Sequence, residues 1–370
     1  MDAYIYIENG VFLKAKAFGK GGTAVGELVF NTSMTGYQEI ISDPSYAGQF
    51  IVFTMPEIGI VGVNADDMES RKIHASGIFV RKYNDLPSNY RSQKSLSEFF
   101  AEQDKFGIYD VDTRFLTKTL RESGSLMAIA STEIGDPAIL KAELEKSARI
   151  EEINYVAIVS TKEPYKHEKG LWDGYEYKAP AKCGKKVAVI DYGVKRNILN
   201  ELCESGLEIE VFPHDVKAAD LIAKFEKGEI NGVFLSNGPG EPRMLKAEIA
   251  EIKKLIEAKV PIFAICLGHQ LLSNAFGYET YKLKFGQHGA NHPVQNQITG
   301  SIEITAQNHN YNVPESIAQI AEITHRNLFD GTIEGVRYKN APIFSVQHHP
   351  EASAGPHESE YIFKEFLKIW

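Results

Sequence analysis

Cys266 stands at the boundary between a predicted strand, Val260–Ile265, and a predicted helix, Gly268–Phe276. A sharp strand-to-helix turn lifts a nucleophile out of the sheet and aims the N–H groups of the helix N-terminus at it, which favours a thiolate. The residues two before and two after such a nucleophile are normally small, and here they are Ala264 and Gly268. The turn therefore predicts that Cys266 is a nucleophile rather than one more buried apolar side chain.

A thiolate nucleophile needs a group that moves protons, and the segment Ser345–Glu351 contains the best candidates. In an extended segment residues i and i+2 point to the same side, so His349 and Glu351 are expected to share a side. Glu351 can then accept a hydrogen bond from one imidazole nitrogen while the other faces the sulfur, a Cys-His-Glu version of the catalytic triad. Two alternatives stay open: a histidine-rich surface strand, and a metal site of His348, His349 and His309, although the spacing matches no common zinc pattern.

Attack of a thiolate on an amide carbon places negative charge on the oxygen, so two backbone donors are expected near the sulfur. The N–H of Leu267, which follows the nucleophile, is one candidate. The loop Ser236–Pro242, at the end of a neighbouring strand, offers the other through Gly238, where the missing side chain lets the backbone approach closely. The alternative is that this Gly-Pro-Gly loop is only a tight turn.

The elements that would position these residues repeat one order after about residue 185: apolar strand, loop, amphipathic helix. This alternation is typical of βαβ units with a parallel sheet, so the predicted fold class is α/β with a doubly wound C-terminal domain. The predicted strands are Lys186–Ile190, Ile209–Phe212, Gly232–Ser236 and Val260–Ile265, and the predicted helices are Lys195–Glu204, Ala218–Phe225, Leu245–Ala258 and Gly268–Phe276.

The first 150 residues instead mix short β-type runs with turns rich in Gly, Ser and Thr, which predicts a strand-rich α+β domain. Helices are expected at Leu96–Gln103, at Thr113–Ser123 and from Asp136 onward. Between the two halves the periodicity fails and Pro and Gly punctuate a Lys- and Tyr-rich stretch, which is typical of a linker. The predicted organisation is residues 1–163 as the N-terminal domain, 164–184 as the linker and 185–370 as the C-terminal α/β domain.

Composition disfavours several functional classes. The 370 residues include 40 Lys and Arg against 49 Asp and Glu, a net charge of -9 without a basic block, which disfavours nucleic-acid binding. No apolar stretch approaches the roughly 20 residues that span a bilayer and the N-terminus lacks a signal-peptide pattern, so a cytoplasmic protein without membrane contact is expected. Three cysteines cannot form a disulfide framework, and Cys183 and Cys203, which lack a special context, are interpreted as structural free thiols.

These residues resemble class I, triad-type glutamine amidotransferases, and more closely the family of small, glutamine-hydrolysing chains of carbamoyl-phosphate synthase. The resemblance covers nearly the whole chain. It rests on Ser236–Gly240, Cys266–Gln270, Lys284–Val294 and His349–Ser353 in the second half, and on Asn31–Glu39, Asp43–Gln49 and Asp112–Arg114 in the first. The cysteine and His-Pro-Glu elements mark the superfamily, whereas the first-half motifs belong to a domain that other class I amidotransferases lack.

The resemblance implies that Cys266 attacks the side-chain amide of L-glutamine, that His349 protonates the departing ammonia and later activates water, and that Glu351 orients His349. It implies further contacts with glutamine at Ser45, Gly238, Gly240, Leu267, Gln270, Asn308, Asn310 and Tyr311. At the last two positions the family pattern is Gly and Phe. An asparagine adds a side chain where glycine had none, and a loop shifted for this reason would alter glutamine affinity.

A nucleotide site is not expected in this chain. No GxxxxGK[ST] loop is present, and the weak match at Gly19–Ala24 is interpreted as a turn between strands, so no cofactor is expected here. The resemblance implies a large partner chain that uses ATP and Mg to make carbamoyl phosphate from bicarbonate and tunnelled ammonia, for pyrimidine and arginine biosynthesis. The two chains would form a heterodimer, with higher oligomers left open, and the N-terminal domain would be mainly a docking surface.

Other functions remain as alternatives. An amidotransferase serving guanylate or anthranilate synthesis would share the second half, but the N-terminal domain argues against it. A cysteine peptidase or γ-glutamyl hydrolase on the same scaffold would need a wider cleft than free glutamine requires. A catalytically inactive assembly subunit is weakened by the intact set of Cys266, His349 and Glu351.

Overall fold

Two compact units make up the chain, one formed by Met1–Ile153 with Lys284–Gly289 and the other by Asn154–Leu283 with Ala290–Trp370. The computed structural model describes all residues from Met1 to Trp370. No helix is long and apolar enough to cross a bilayer.

The first unit is rich in short strands, as the sequence predicts. Its strands are β1 (Asp2–Ile7), β2 (Phe12–Gly19), β3 (Thr23–Asn31), β4 (Gln49–Phe53), β5 (Glu57–Ile58), β6 (Gly77–Phe79), β7 (Lys82–Tyr83), β8 (Phe106–Tyr109) and β9 (Leu126–Ser131). Its helices are α1 (Tyr37–Ser42), α2 (Leu96–Glu102), α3 (Thr113–Ser123) and α4 (Pro137–Lys146). The three helices expected from periodicity are α2, α3 and α4, and the bounds of α3 agree residue for residue.

Seven of these strands close into a barrel in the order β1-β2-β8-β6-β4-β3-β9, which leaves no strand edge unpaired. The pairs β3/β4, β4/β6 and β6/β8 are parallel and the others antiparallel. The period-2 pattern of β1 explains its place, because Ala3, Ile5 and Ile7 are buried on one side of the strand. The sequence predicted a strand-rich domain but not the closure of its strands into a barrel.

The segment Lys284–Gly289 packs within this first unit. The Phe285 ring lies 5.8 Å from the Phe30 ring, centroid to centroid, and the carbonyl oxygen of His288 accepts a hydrogen bond of 3.2 Å from the Thr32 N–H. At Gly124 an added Cβ would lie 2.8 Å from the carbonyl oxygen of Lys284, so the segment requires glycine there. The family-like run that begins at Lys284 is therefore partly a packing element of the N-terminal unit.

The second unit carries the predicted α/β order. Its strands are β10 (Tyr165–His167), β11 (Lys186–Asp191), β12 (Glu208–Pro213), β13 (Gly232–Leu235), β14 (Ile262–Ile265), β15 (Tyr281–Asn296), β16 (Ile302–Asn312), β17 (Ala321–Asn327), β18 (Ile333–Tyr338) and β19 (Ile343–Val346). Its helices are α5 (Tyr155–Val159), α6 (Arg196–Glu204), α7 (Ala218–Glu226), α8 (Lys246–Glu257), α9 (Leu267–Ala275) and α10 (Tyr361–Phe366).

One ten-stranded sheet organises this unit, in the order β10-β12-β11-β13-β14-β19-β18-β17-β15-β16. The run β12-β11-β13-β14-β19 is parallel. Alternate residues of each strand pack into separate hydrophobic cores on the two faces of the sheet. Ile262 and Ala264 of β14 pack in one core, and Phe263 and Ile265 pack in the other. A doubly wound domain is confirmed, and its parallel strands end at the edge that carries the site.

The stretch predicted as a linker is partly a piece of this sheet. Residues 165–167 form β10, which pairs antiparallel with β12, and Tyr165 packs against the apolar face of the sheet. The unit begins at Asn154, ahead of the predicted boundary at 163, because Val156 packs in its core and the Thr161 N–H donates to Asp191 Oδ2 at 2.7 Å. Proline and glycine punctuation concealed a strand of only three residues.

Candidate active site

Cys266 lies on the turn between β14 and α9, as predicted. Its backbone has φ 53° and ψ -106°, a sparsely populated conformation with positive φ that costs a non-glycine residue on the order of 1 to 3 kcal/mol and is typical of functional turns. The side chain is 2% exposed. Gly268 is obligatory here, because an added Cβ would lie 2.4 Å from the carbonyl oxygen of Leu235.

His349 and Glu351 are joined by a short hydrogen bond. His349 Nδ1 lies 2.6 Å from Glu351 Oε1, and both side chains are buried. Burial alone would lower the pKa of His349, but Glu351 and Cys266 together raise it to about 10. The His349 ring is therefore held as an imidazolium at neutral pH, an acid ready for the leaving group.

The local structure around this pair differs from the prediction. Strand β19 ends at Val346, so His349 and Glu351 do not lie on an extended strand. They meet across a turn in which Ala352 and Ser353 both have φ 52°, and the His349 N–H donates to the carbonyl oxygen of Ala306 at 2.9 Å. The predicted pairing is correct, but a turn produces it rather than strand alternation.

Lys195 is a buried partner of Glu351 that the sequence reasoning missed. Its Nζ lies 3.0 Å from Glu351 Oε1 and also donates to the carbonyl oxygen of Ala352. Burial alone would raise the pKa of Glu351, but Lys195 and His349 lower it to about 2, so the carboxylate stays ionised. Lys195 follows β11 at the carboxyl edge of the sheet, and that position was the available signal.

The loop after β13 approaches the elbow closely. An added Cβ on Gly238 would lie 2.2 Å from the carbonyl oxygen of Tyr192 and 2.9 Å from Leu267 Cδ2, so only glycine fits. The Gly268 N–H donates to the carbonyl oxygen of Ser236 at 3.0 Å, which ties this loop to the first turn of α9. The two predicted oxyanion donors, on Gly238 and Leu267, thus belong to segments that pack directly on each other.

The other residues predicted to contact glutamine lie in four places. Asn308, Asn310 and Tyr311 belong to β16, and the Asn308 carbonyl oxygen lies 3.5 Å from Cys266 Sγ. Gln270 on α9 donates from Nε2 to the Tyr311 carbonyl oxygen at 2.9 Å, so its amide holds β16 in place.

The remaining two predicted contacts lie outside these elements. Gly240, with φ 92°, lies in the loop after β13. Ser45 belongs to the other unit, in a short 3₁₀ helix where its N–H donates to Asp43 Oδ1 at 2.8 Å. The role of each of these side chains in glutamine binding stays a prediction.

Asn310 needs no unusual backbone conformation. It is absent from the residues with positive φ and lies within β16, buried to 8% exposure. An asparagine here therefore carries no left-handed strain, and the shifted loop considered from the sequence has no backbone cause.

A second buried polar cluster lies around Glu334 on β18. Gln307 Nε2 and Asn327 Nδ2 donate to its carboxyl oxygens at 3.1 and 3.3 Å, and burial raises its pKa to about 8. His348 Nδ1 lies 3.9 Å away, and burial holds the pKa of His348 well below its usual value. No three His, Cys, Asp or Glu side chains converge as a metal site would require, so the alternative of a His348, His349 and His309 centre has no geometry behind it.

The part of the chain that carries the site, residues 188–369, matches the class-I glutamine amidotransferase family. Residues 5–130 match a second family, the CPSase domain of the carbamoyl-phosphate synthase small chain. The carbamoyl phosphate synthase small chain of Campylobacter jejuni is 65% identical over the full length of both chains. Those of Helicobacter hepaticus and Helicobacter acinonychis are each 58% identical, over 100% and 99% of this chain and 98% and 97% of theirs.

The chain belongs to the carbamoyl phosphate synthase small chain family. The resemblance read from the motifs is therefore confirmed, and so is the class I amidotransferase fold of the second unit. A guanylate or anthranilate amidotransferase is not supported, because the match at residues 5–130 covers the N-terminal unit that those enzymes were expected to lack.

Proposed function

We propose that this chain hydrolyses L-glutamine and delivers the ammonia to a large, ATP-using partner that makes carbamoyl phosphate from bicarbonate. The observation that carries the proposal is the elbow cysteine at the same sheet edge as a buried His349–Glu351 pair. Family membership adds the partner and the product.

The first half-reaction forms a thioester. The Cys266 thiolate attacks the side-chain amide carbon, the C–S bond forms, and the carbonyl electrons move to the oxygen, where N–H groups of Gly238 and Leu267 would stabilise them. The imidazolium of His349 gives its proton to the amide nitrogen as the C–N bond breaks, so ammonia leaves as a neutral molecule. The raised pKa of His349 supports this order, since the acid is in place before substrate binds.

The second half-reaction releases glutamate. Neutral His349 takes a proton from water as the hydroxyl adds to the thioester carbon, and collapse of this intermediate expels the Cys266 thiolate. The imidazolium is then restored and the cycle can repeat. Glu351 keeps a proton on His349 Nδ1 throughout, so the other ring nitrogen exchanges protons with the substrate, because Lys195 holds the carboxylate ionised.

The chain itself needs no cofactor for these steps, and ATP and Mg are expected in the partner. We propose that the N-terminal unit supplies the docking surface and that Ser45 contributes to the glutamine site. Leu86 and Tyr90 in this unit are 82% and 92% exposed, which supports an apolar contact with another chain.

Glutamate release by the purified chain, with and without the large partner and its ATP and bicarbonate, tests the glutaminase assignment. The expected result is release that rises in the complex and is lost in Cys266→Ala, with Cys183→Ala, on an exposed cysteine ahead of β11, as the control. Equal release by wild type and Cys266→Ala would refute the assignment.

A further inference from the structure

A chain of three side chains leads from β10 to the turn of residues 349–353, which we call the catalytic turn. His167 Nε2 lies 2.8 Å from Asn200 Oδ1, Asn200 Nδ2 lies 3.2 Å from Asn197 Oδ1, and Asn197 Nδ2 lies 2.6 Å from the carbonyl oxygen of Glu351. Asn200 is 1% exposed and Asn197 9%. These contacts form one continuous path of hydrogen bonds that ends on the main chain of the residue that orients His349.

Helix geometry explains why these residues line up. Asn197, Asn200 and Cys203 on α6 are spaced by three and therefore share one face. This face meets β10, where Cys203 Sγ lies 3.4 Å from the carbonyl oxygen of His167. Helix α6 thus contacts the His167 backbone through Cys203, and the side-chain amides of Asn200 and Asn197 continue the hydrogen-bond path to Glu351.

The direction of every hydrogen bond in the path is set by its two ends. His167 Nε2 faces two oxygens, Asn200 Oδ1 and the Lys169 carbonyl at 3.1 Å, so this nitrogen must carry the proton. Asn200 then presents its NH₂ to Asn197 Oδ1, and Asn197 presents its NH₂ to Glu351. Neither amide can turn over without placing oxygen against oxygen, so each amide holds a single orientation.

The first turn of α6 holds the catalytic turn at three points. Asn197 binds the Glu351 carbonyl oxygen, and Lys195 binds both the Glu351 carboxylate and the Ala352 carbonyl oxygen. The turn needs such support because Ala352 and Ser353 both have positive φ. Residues other than glycine rarely adopt this backbone conformation unless their surroundings impose it. Asn197 is itself oriented by the path that begins at His167 on β10.

We propose that Asn197, Asn200 and His167 are positioning residues for glutamine hydrolysis, which act by fixing the main chain of Glu351 and hence the His349 ring. This inference rests on the proposed glutaminase function. It assigns a catalytic purpose to β10, the strand within the stretch that the sequence predicted to be a linker.

The test measures kcat and KM for glutamine with the complex of this chain and its large partner, normalised to the Cys266 thiol that reacts with an alkylating reagent. Asn197→Leu is expected to lower kcat by about 10- to 100-fold, since a displacement of about 1 Å in a catalytic group has effects of that size. The KM for glutamine should stay within about two-fold, because none of the three side chains belongs to the predicted glutamine contacts.

Conservative replacement at His167 separates positioning from simple folding. His167→Gln keeps an N–H at the position of Nε2 and is expected to retain nearly full kcat, whereas His167→Leu should lower kcat by about five- to ten-fold. Asn200→Asp can accept from His167 but, when ionised, cannot donate to Asn197, so it should resemble His167→Leu.

Asn231→Leu is the matched control. Asn231 accepts one hydrogen bond of 2.9 Å from the Lys186 N–H at the opposite end of β11, so its loss should lower the melting temperature but leave kcat unchanged. Folded Asn197→Leu with wild-type kcat, or His167→Gln as impaired as His167→Leu, would overturn the proposal. Absence of glutamine hydrolysis in the wild type would instead overturn the proposed function on which it rests.

Discussion

Lys195 and Glu351 form a buried ion pair, with Nζ 3.0 Å from Oε1 and side-chain exposures of 5% and 0%. The same carboxylate oxygen lies 2.6 Å from His349 Nδ1, so one oxygen serves both a cation and the catalytic imidazole. The pair places a fixed positive charge behind the catalytic carboxylate.

Lys195→Met should destabilise the protein and slow catalysis. Removing one partner of a buried pair leaves the other charge uncompensated and typically costs about 3 to 5 kcal/mol. The pKa of Glu351 should rise once Lys195 is gone, which weakens its hold on imidazolium. Denaturant unfolding and kcat measure both effects. Lys178→Met, at an ion pair that is exposed, is the control and should change neither; equal effects of the two substitutions would contradict the account.

Glu351→Gln should move the alkaline limb of the kcat/KM profile to lower pH. Glu351 is one of the groups that raise the pKa of His349 to about 10, so its neutralisation lets burial pull that pKa down. The imidazolium that protonates the departing amide nitrogen is then lost at lower pH. The rate should also fall by about 10²- to 10⁴-fold, because a neutral amide neither stabilises the imidazolium nor holds the ring in one tautomer. An alkaline limb that stays at the wild-type position would show that Glu351 does not set the protonation of His349.

Glu334 should make the folded state less stable as pH rises. Its pKa is raised to about 8 from 4.5 by burial, so between these values the folded state holds a proton that the unfolded state has lost. The free energy of unfolding should therefore fall by about 1.4 kcal/mol per pH unit in this window and level off above it. Glu334→Gln should remove this contribution, and exposed Glu257→Gln should leave it; unfolding titrations at pH 5 to 8 measure the slope.

Gly238→Ala should lower kcat by about 100-fold with a smaller loss of stability. The added Cβ would meet the Tyr192 carbonyl oxygen at 2.2 Å, so the loop that offers an oxyanion donor must shift. Gly228→Ala, in open space at φ 69°, pays backbone strain without a clash and should leave kcat unchanged. Steady-state kinetics measure kcat of both variants, and melting temperatures measure their stability. A Gly238→Ala enzyme with normal kcat would remove this loop from the oxyanion site.

The sequence predicted what depends on local periodicity and turn chemistry. The β14–Cys266–α9 elbow, the parallel strands before it and the α3 helix are all local patterns, and each lies where expected. Closure of the barrel was not predictable in the same way, because its parallel pairs join strands separated by loops whose sequences do not specify partners. The strand β10 was missed because three residues give too little pattern.

The site shows the same division. The residue types of Cys266, His349 and Glu351 by themselves indicate their chemistry. The prediction that His349 and Glu351, two positions apart, lie together is correct, even though the segment is a turn and not a strand. The residue types of Lys195 and Asn197 do not indicate chemistry in this way, since a lysine and an asparagine at the start of a helix are usually solvated; only their position after β11 pointed to the site. Only the fold shows that Lys195 binds a carboxylate that lies 156 positions further along the chain.

The most direct measurement compares carbamoyl phosphate synthesis from glutamine and from ammonium chloride by the complex with Cys266→Ala. Synthesis from ammonium chloride should be unchanged while synthesis from glutamine is lost, because only the ammonia supply passes through this chain. Synthesis from glutamine at the wild-type rate would contradict the assignment of Cys266 as the nucleophile. Equal loss from both nitrogen sources would show that the substitution acts on assembly rather than on glutamine hydrolysis.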